Sequence, residues 1–172
     1  MHTLLKRCSL VLALAVIAAG CGRVSNTPAG GSTEGAAAAA GSSYRLSNEP
    51  AGAKDVKLAR SSAKNDEEVV VVGRIGDDGS PWIDGMAAFT IVDLSLEPCT
   101  DGACGNPFCE ADGLPNSKAM VKVVDGQGQI VATESRQLLG VKELQTVVVR
   151  GKAKRDEAGN LTILASGVFV RP

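Results

Sequence analysis

The amino-acid sequence predicts an all-β domain: a five-stranded barrel with one short helix, preceded by a disordered linker and a signal peptide. Three observations carry this expectation. After residue 66, apolar residues come in short β-branched runs rather than at helical spacing. Turn-forming Gly, Asp and Asn separate those runs. Glycines at 73 and 151 each interrupt a valine run, as they do at bulges and barrel corners.

Taken in order, the first strand is Val69-Val70-Val71-Val72-Gly73-Arg74-Ile75. The second runs from Ala87 to Val92, with Phe89 and Ile91 on one face because strand side chains alternate. The third, Met120 to Val124, meets the turn Asp125-Gly126-Gln127-Gly128 and continues through Ile130 to Thr133. A helical segment is expected over Leu138 to Leu144. The fourth strand is Thr146 to Ala153. Its Val147, Val149 and Ala153 point one way, and Val148, Arg150, Lys152 and Lys154 the other. A turn near Asp156 to Asn160 leads to the last strand, Leu161 through Val170. Residues 66–172 are enough for one small domain.

Five strands, a helix before the fourth and glycines at the bends together resemble an OB-fold, a partly open five-stranded Greek-key barrel. The resemblance covers roughly residues 68–170, with a small β-sandwich as the rival architecture. Such barrels host many unrelated ligands, so the resemblance implies no activity.

The N-terminus carries a different message. Lys6-Arg7 precedes an apolar run from Leu10 to Ala19, followed by Gly20 and Cys21. That run is half of the roughly 20 residues needed to span a bilayer, and its charged start and small-residue end match an export signal. Val16-Ile17-Ala18-Ala19-Gly20-Cys21 resembles the lipobox of bacterial lipoproteins. The resemblance implies cleavage after residue 20 and acylation of Cys21, palmitate included. Two or three acyl chains give stable membrane attachment where one gives only marginal binding. Gly22, in place of Asp, implies sorting to the outer membrane, facing the periplasm. From Gly22 to about Lys64 the chain is rich in Gly, Ala, Ser and Thr, including Ala36 to Ala40. Such a stretch cannot bury enough apolar surface to offset its ordering entropy. The expected organisation is therefore a signal peptide (1–20), a lipidated tether (21–65) and a β-domain (66–172).

Composition excludes several functions. The only histidine is His2, inside the signal. The mature chain thus lacks a Ser-His or Cys-His catalytic pair and a His-ligated haem or zinc site. Removing residues 1–20 leaves 16 basic against 19 acidic residues, a net charge of −3. With 3% aromatics, that balance argues against a nucleic-acid partner, which needs a positive field or stacking platforms.

One segment carries candidate chemistry. Between the second and third strands, Cys99, Cys104 and Cys109 recur every five residues among Gly and Pro. This segment and its flanking strands resemble bacterial lipoproteins that carry a Cys/Pro-rich loop inside an OB-like domain. Three readings stay open. A disulfide between two of the three would staple the loop in an oxidising compartment, leaving one odd thiol. A soft metal, Cu or Zn, could take the three thiolates, with Asp101, Glu110 or Asp112 as auxiliary ligand. Thiol exchange is disfavoured by the acidic neighbours, which raise thiol pKa.

The remaining motifs are bland. Gly73 to Gly79 has no Walker lysine or dinucleotide spacing and reads as a turn. Asp77, Asp78 and Asp84 lack a full calcium loop. Arg150, Lys152 and Lys154 read as a solubilising strand face. Trp82 reads as a core plug or lid. The expectation for the whole is a non-enzymatic, lipid-anchored module that binds an envelope protein partner or stabilises an assembly. A metal-binding lipoprotein is the alternative.

Overall fold

In the computed structural model, which describes residues 39–99, 107–108 and 113–172, strands dominate. The elements in order are β1 (Lys54–Asp55), α1 (Val56–Ser62), β2 (Glu68–Ile75), β3 (Trp82–Ile83), β4 (Ala88–Val92), β5 (Lys118–Val123), α2 (Ser135–Leu139), β6 (Thr146–Arg155) and β7 (Leu161–Val170). A 3-10 turn, Leu114–Asn116, leads into β5. Among the described residues no helix is long and apolar enough to cross a membrane.

The strands form one seven-stranded mixed sheet in the order β1-β2-β6-β7-β5-β4-β3. β2 also pairs with β4 through Arg74↔Val92 and Ile75↔Ile91, so the hydrogen-bonded path β2-β6-β7-β5-β4 returns to its start. The β5–β7 and β1–β2 pairings are parallel and the others antiparallel. The plain five-stranded barrel with one helix is thereby corrected. All five expected strands are present, but two-residue strands β1 and β3 extend the sheet, and α1 is a second helix. Elements of two residues carry no periodic signal. Ile130 to Thr133 contributes only an isolated bridge, Val124↔Ile130.

The two valine runs show why these segments are strands. In β6, Val147, Val149 and Ala153 enter the core while Arg150, Lys152 and Lys154 stay in water. Val148, expected on the lysine side, is fully buried and lies opposite Val72 of β2 and Phe169 of β7. A register shift falls between Arg150 and Gly151. A Cβ on Gly151 would stand 2.1 Å from the Leu164 carbonyl oxygen, so only glycine lets β7 approach there. The helix expected over 138–144 sits earlier. Gly140 adopts φ 65° and its N–H bonds to the Arg136 carbonyl, which stops α2 at Leu139.

Part of the segment expected as a tether (21–65) is packed against the domain. Leu46 N–H donates to the Val168 carbonyl at 2.9 Å, and Val56, Ala59 and Ala63 join the main core. Their i, i+3, i+7 spacing places all three on one helix face. Asp55 Oδ1 caps α1 by accepting from Leu58 N–H at 2.8 Å. The packed domain therefore begins ahead of residue 66. Residues 21–38 of the expected tether, and the expected signal peptide, lie outside the described residues.

Candidate binding cleft

β5 alternates strictly: Ala119, Val121 and Val123 are buried, while Lys118, Met120 and Lys122 are half-buried on the outer face. Register then builds a floor across three strands. Thr90 of β4 lies opposite Met120, and Met120 lies opposite Thr162 of β7. The β2–β3 loop adds Asp77 to the lining of the cleft over this row, and the β6–β7 turn adds Asp156 and Asn160. Arg60 of α1 reaches over it and donates from Nη1 to the Lys118 carbonyl at 2.9 Å. The open cleft so formed measures about 380 Å³.

The charges in this cleft are unequally engaged. Lys118 Nζ stands 2.6 Å from Asp77 Oδ1 and 3.5 Å from Asp78 Oδ1. Burial pushes the Asp77 carboxyl up, but hydrogen bonds from Lys118, the Asp78 N–H and Thr90 outweigh it and hold the group below its usual range. Burial likewise pulls Lys118 down, and its pairing with Asp77 outweighs that and raises it. Asp156 accepts from Asn160 through both backbone N–H (2.8 Å) and side-chain amide (2.7 Å), which lowers its pKa. Arg60 is lowered instead, by burial and then by the positive charge of Arg155. Such a site can hold a polar ligand by charge and hydrogen bonds.

The cysteine segment is anchored by a residue that carries no chemistry. Phe108 is fully buried and packs with Val92, Leu96 and Leu114 in a second, smaller core. It lies so close to Gly76 that a Cβ there would meet the ring at 2.3 Å. Cys99 is half-buried and in no disulfide among the described residues, and its N–H donates to the Pro107 carbonyl at 2.7 Å. Cys104, Cys109, Asp101, Glu110 and Asp112 lie outside the described residues, as does Cys21.

Other sequence candidates are placed plainly. Asp77 and Asp78 face Lys118, while Asp84 lies exposed beyond β3. Among the described residues no group of three or more His, Cys, Asp or Glu could hold a metal ion. Lys152 and Lys154 pair with Glu68 (3.9 Å) and Asp66 (2.7 Å). Trp82 is half-buried, its ring centroid 6.1 Å from that of Phe89 and 5.5 Å beneath Arg136.

Sequence reasoning did not single out Arg60, Thr90, Lys118, Lys122 or Asn160. The readable signal was Lys118-x-Met120-x-Lys122, an outward row on a strand whose alternate residues are apolar. Arg60 lay hidden inside the expected tether. No protein-family model matches this chain, and no curated protein matches it.

Proposed function

We propose that this chain is a lipid-anchored, non-enzymatic binding module of a bacterial envelope, facing the periplasm from the outer membrane. Its domain is an OB-like barrel, and the cleft over β4, β5 and β7 takes the ligand. The pairing path supports the OB-like reading: β2, β4 and β5 follow one another, α2 precedes β6, and β7 runs parallel to β5. Five-stranded Greek-key barrels of this kind bind ligands on the face of their second and third strands, between two flanking loops. The observation that carries the reading is that the Thr90–Met120–Thr162 row lies on that face and lines one cleft with Asp77 of the β2–β3 loop and Asp156 of the β6–β7 turn.

The lipobox-like Val16 to Cys21 supports the anchor. In an oxidising compartment, a disulfide between two of Cys99, Cys104 and Cys109 would close a loop that Phe108 already holds at its base. Closing such a short loop stabilises by about 2–3 kcal/mol in the chain-entropy account.

Radiolabelled palmitate tests the anchor. Label is expected on the wild-type chain in the membrane fraction and is expected to vanish with Cys21→Ser. An unlabelled chain with an intact N-terminus in the cytosol overturns the reading. Thiol titration of the mature protein tests the staple: one reactive thiol before reduction supports it, and three argue against it.

A further inference from the structure

We infer that the face made by Ile83, Met86 and Ile130, beside Trp82, rests on the zwitterionic lipid surface of the bilayer that holds Cys21. This inference rests on the proposed anchor and goes beyond it, from a tethered domain to a docked one. Five large apolar side chains are exposed among the described residues, and three of them are Ile83, Met86 and Ile130, at 37–40%. Backbone bonds gather them. Met86 N–H donates to the Ile83 carbonyl at 3.4 Å, and Ala87 N–H to the Val131 carbonyl at 2.8 Å. The β3–β4 turn and the segment after β5 therefore lie side by side. Ala87 is buried and Val131 packs against the main core, while their chain neighbours Met86 and Ile130 face water. Exposed apolar side chains gathered in this way mark a contact surface.

Two observations make lipid the occupant. The first is where the anchored chain enters the domain. Gly41 packs so closely on the Leu138 carbonyl that a Cβ would not fit, so the N-terminal segment meets the domain at α2. α2 has five residues, a length of about 7.5 Å, and its start flanks the apolar face. Glu134 Oε1 accepts from Gly85 N–H at 3.2 Å, and the Arg136 guanidinium lies 5.5 Å from the Trp82 ring centroid. Residues 21–38, eighteen in all, span at most about 65 Å when fully extended. An anchored domain thus stays within reach of the bilayer, and a contact too weak to hold alone becomes intramolecular. The second is the chemistry of the face. A tryptophan under an arginine, beside exposed isoleucines, suits the interfacial layer, where an apolar body and a polar tip are both satisfied. Charge selects the lipid. Arg136 is paired with Glu134 at 3.0 Å, and the β3–β4 turn adds the exposed Asp84, so the face has no surplus of positive charge for anionic lipid. Asp84 also keeps the contact at headgroup depth. Ile83 lies opposite Ala88, and Ala88 opposite Lys122 of the cleft, two strand spacings or about 10 Å. Docking therefore brings the cleft beside the bilayer.

The test uses the acylated mature chain in phosphatidylcholine vesicles brominated near the head of the acyl chains, with Trp82, the only tryptophan, as reporter. Its fluorescence is expected to be quenched relative to unbrominated vesicles. The Ile83→Ser/Ile130→Ser double variant is expected to lose the quenching while flotation with vesicles and circular dichroism stay unchanged. Leu58→Ser, exposed on α1, is expected to keep it. Adding phosphatidylglycerol at low salt is expected not to strengthen it. A chain that floats with the vesicles but is not quenched overturns the inference and leaves the anchor standing. Quenching that survives the double variant also overturns it. So does a dimer in neutral detergent without quenching, which assigns the face to a second copy. Quenching that rises with phosphatidylglycerol overturns the choice of lipid. A Cys21 that takes no acyl group overturns the anchor instead. In that case lipid titration of the mature Cys21→Ser chain decides the docking, quenching supporting it and none overturning it. Without the anchor, roughly tenfold more lipid is expected to be needed. Ile83→Ser is expected to weaken that binding about fivefold further, the loss of one partly buried apolar side chain.

Discussion

Asp93 stands immediately after β4 with 3% of its surface exposed, yet it keeps its charge. Its Oδ2 accepts from Lys57 N–H at 2.8 Å, and its Oδ1 accepts from the Ser95 N–H (3.0 Å) and hydroxyl (2.7 Å). Burial alone would raise its pKa, but these donors, with the charge of Lys57, outweigh burial and lower it. The Lys57 N–H is one of the donors that the first turn of α1 leaves without an intrahelical partner, so this carboxylate also joins the helix to the sheet. Because the folded group holds its proton more weakly than the unfolded one, its stabilisation is complete above the unfolded pKa of about 4 and is lost as pH falls through the folded value. Asp93→Asn is expected to cost about 1–3 kcal/mol at pH 7, since a neutral amide presents a donor where acceptors are needed. Urea denaturation at pH 7 and pH 3 checks this: the gap between variant and wild type should narrow at pH 3. A gap of equal size at both values counts against the charge-based account. At this scale the sequence was partly legible. Gly151 announced its bulge by breaking a valine run, whereas nothing around Asp93 signalled that two elements far apart in sequence would meet on it.

The elements were readable where burial is periodic and hidden where it is sparse. β6 and β7 were placed within a residue or two because ten-residue strands alternate long enough to betray a face. α1 escaped because its buried face is Val56, Ala59 and Ala63, small residues that add little to any hydropathy pattern. The cap at Asp55 followed by that spacing was the available signal. In the cysteine segment the anchoring residue is Phe108, which the sequence pattern did not mark. Phe108 fills the second core with Val92, Leu96 and Leu114, and Gly76 leaves it the room. Truncation to alanine leaves a cavity that this small cluster has few side chains to refill. Phe108→Ala is therefore expected to cost roughly 3–5 kcal/mol, against less than about 1 kcal/mol for Cys99→Ser measured under reducing conditions. Thermal melts of the two variants in the presence of a reductant decide the point. Equal losses would mean that the thiol and not the ring holds the segment.

Across the whole molecule, the sequence pattern suggested a barrel but could not name the pairings by which the strand path closes on itself. Val71 pairs with Val149, and Val121 with Ile163, partners widely separated along the chain. Only tertiary structure brings β2 back to β4 through Arg74↔Val92 and Ile75↔Ile91. Closure also decides where the cleft lies, because Thr90, Met120 and Thr162 share a row only once β4, β5 and β7 are neighbours. The main core draws residues from α1, α2 and five of the strands, so no element can leave without exposing apolar surface on another. Both facts bear on kinetics. Loop-closure entropy must be met before such non-local pairings contribute, and mixed and all-β topologies of this kind fold on a scale of milliseconds to seconds. Trp82, the only tryptophan, is half-buried against Phe89 and reports on closure at the β3–β4 edge. Far-ultraviolet circular dichroism reports on the strands as a whole. Stopped-flow refolding from urea should give the same single rate by both probes, in that time range. Refolding in microseconds, or fluorescence recovering well ahead of the strands, would show that the β3–β4 edge forms independently and that the ring is not the cooperative unit.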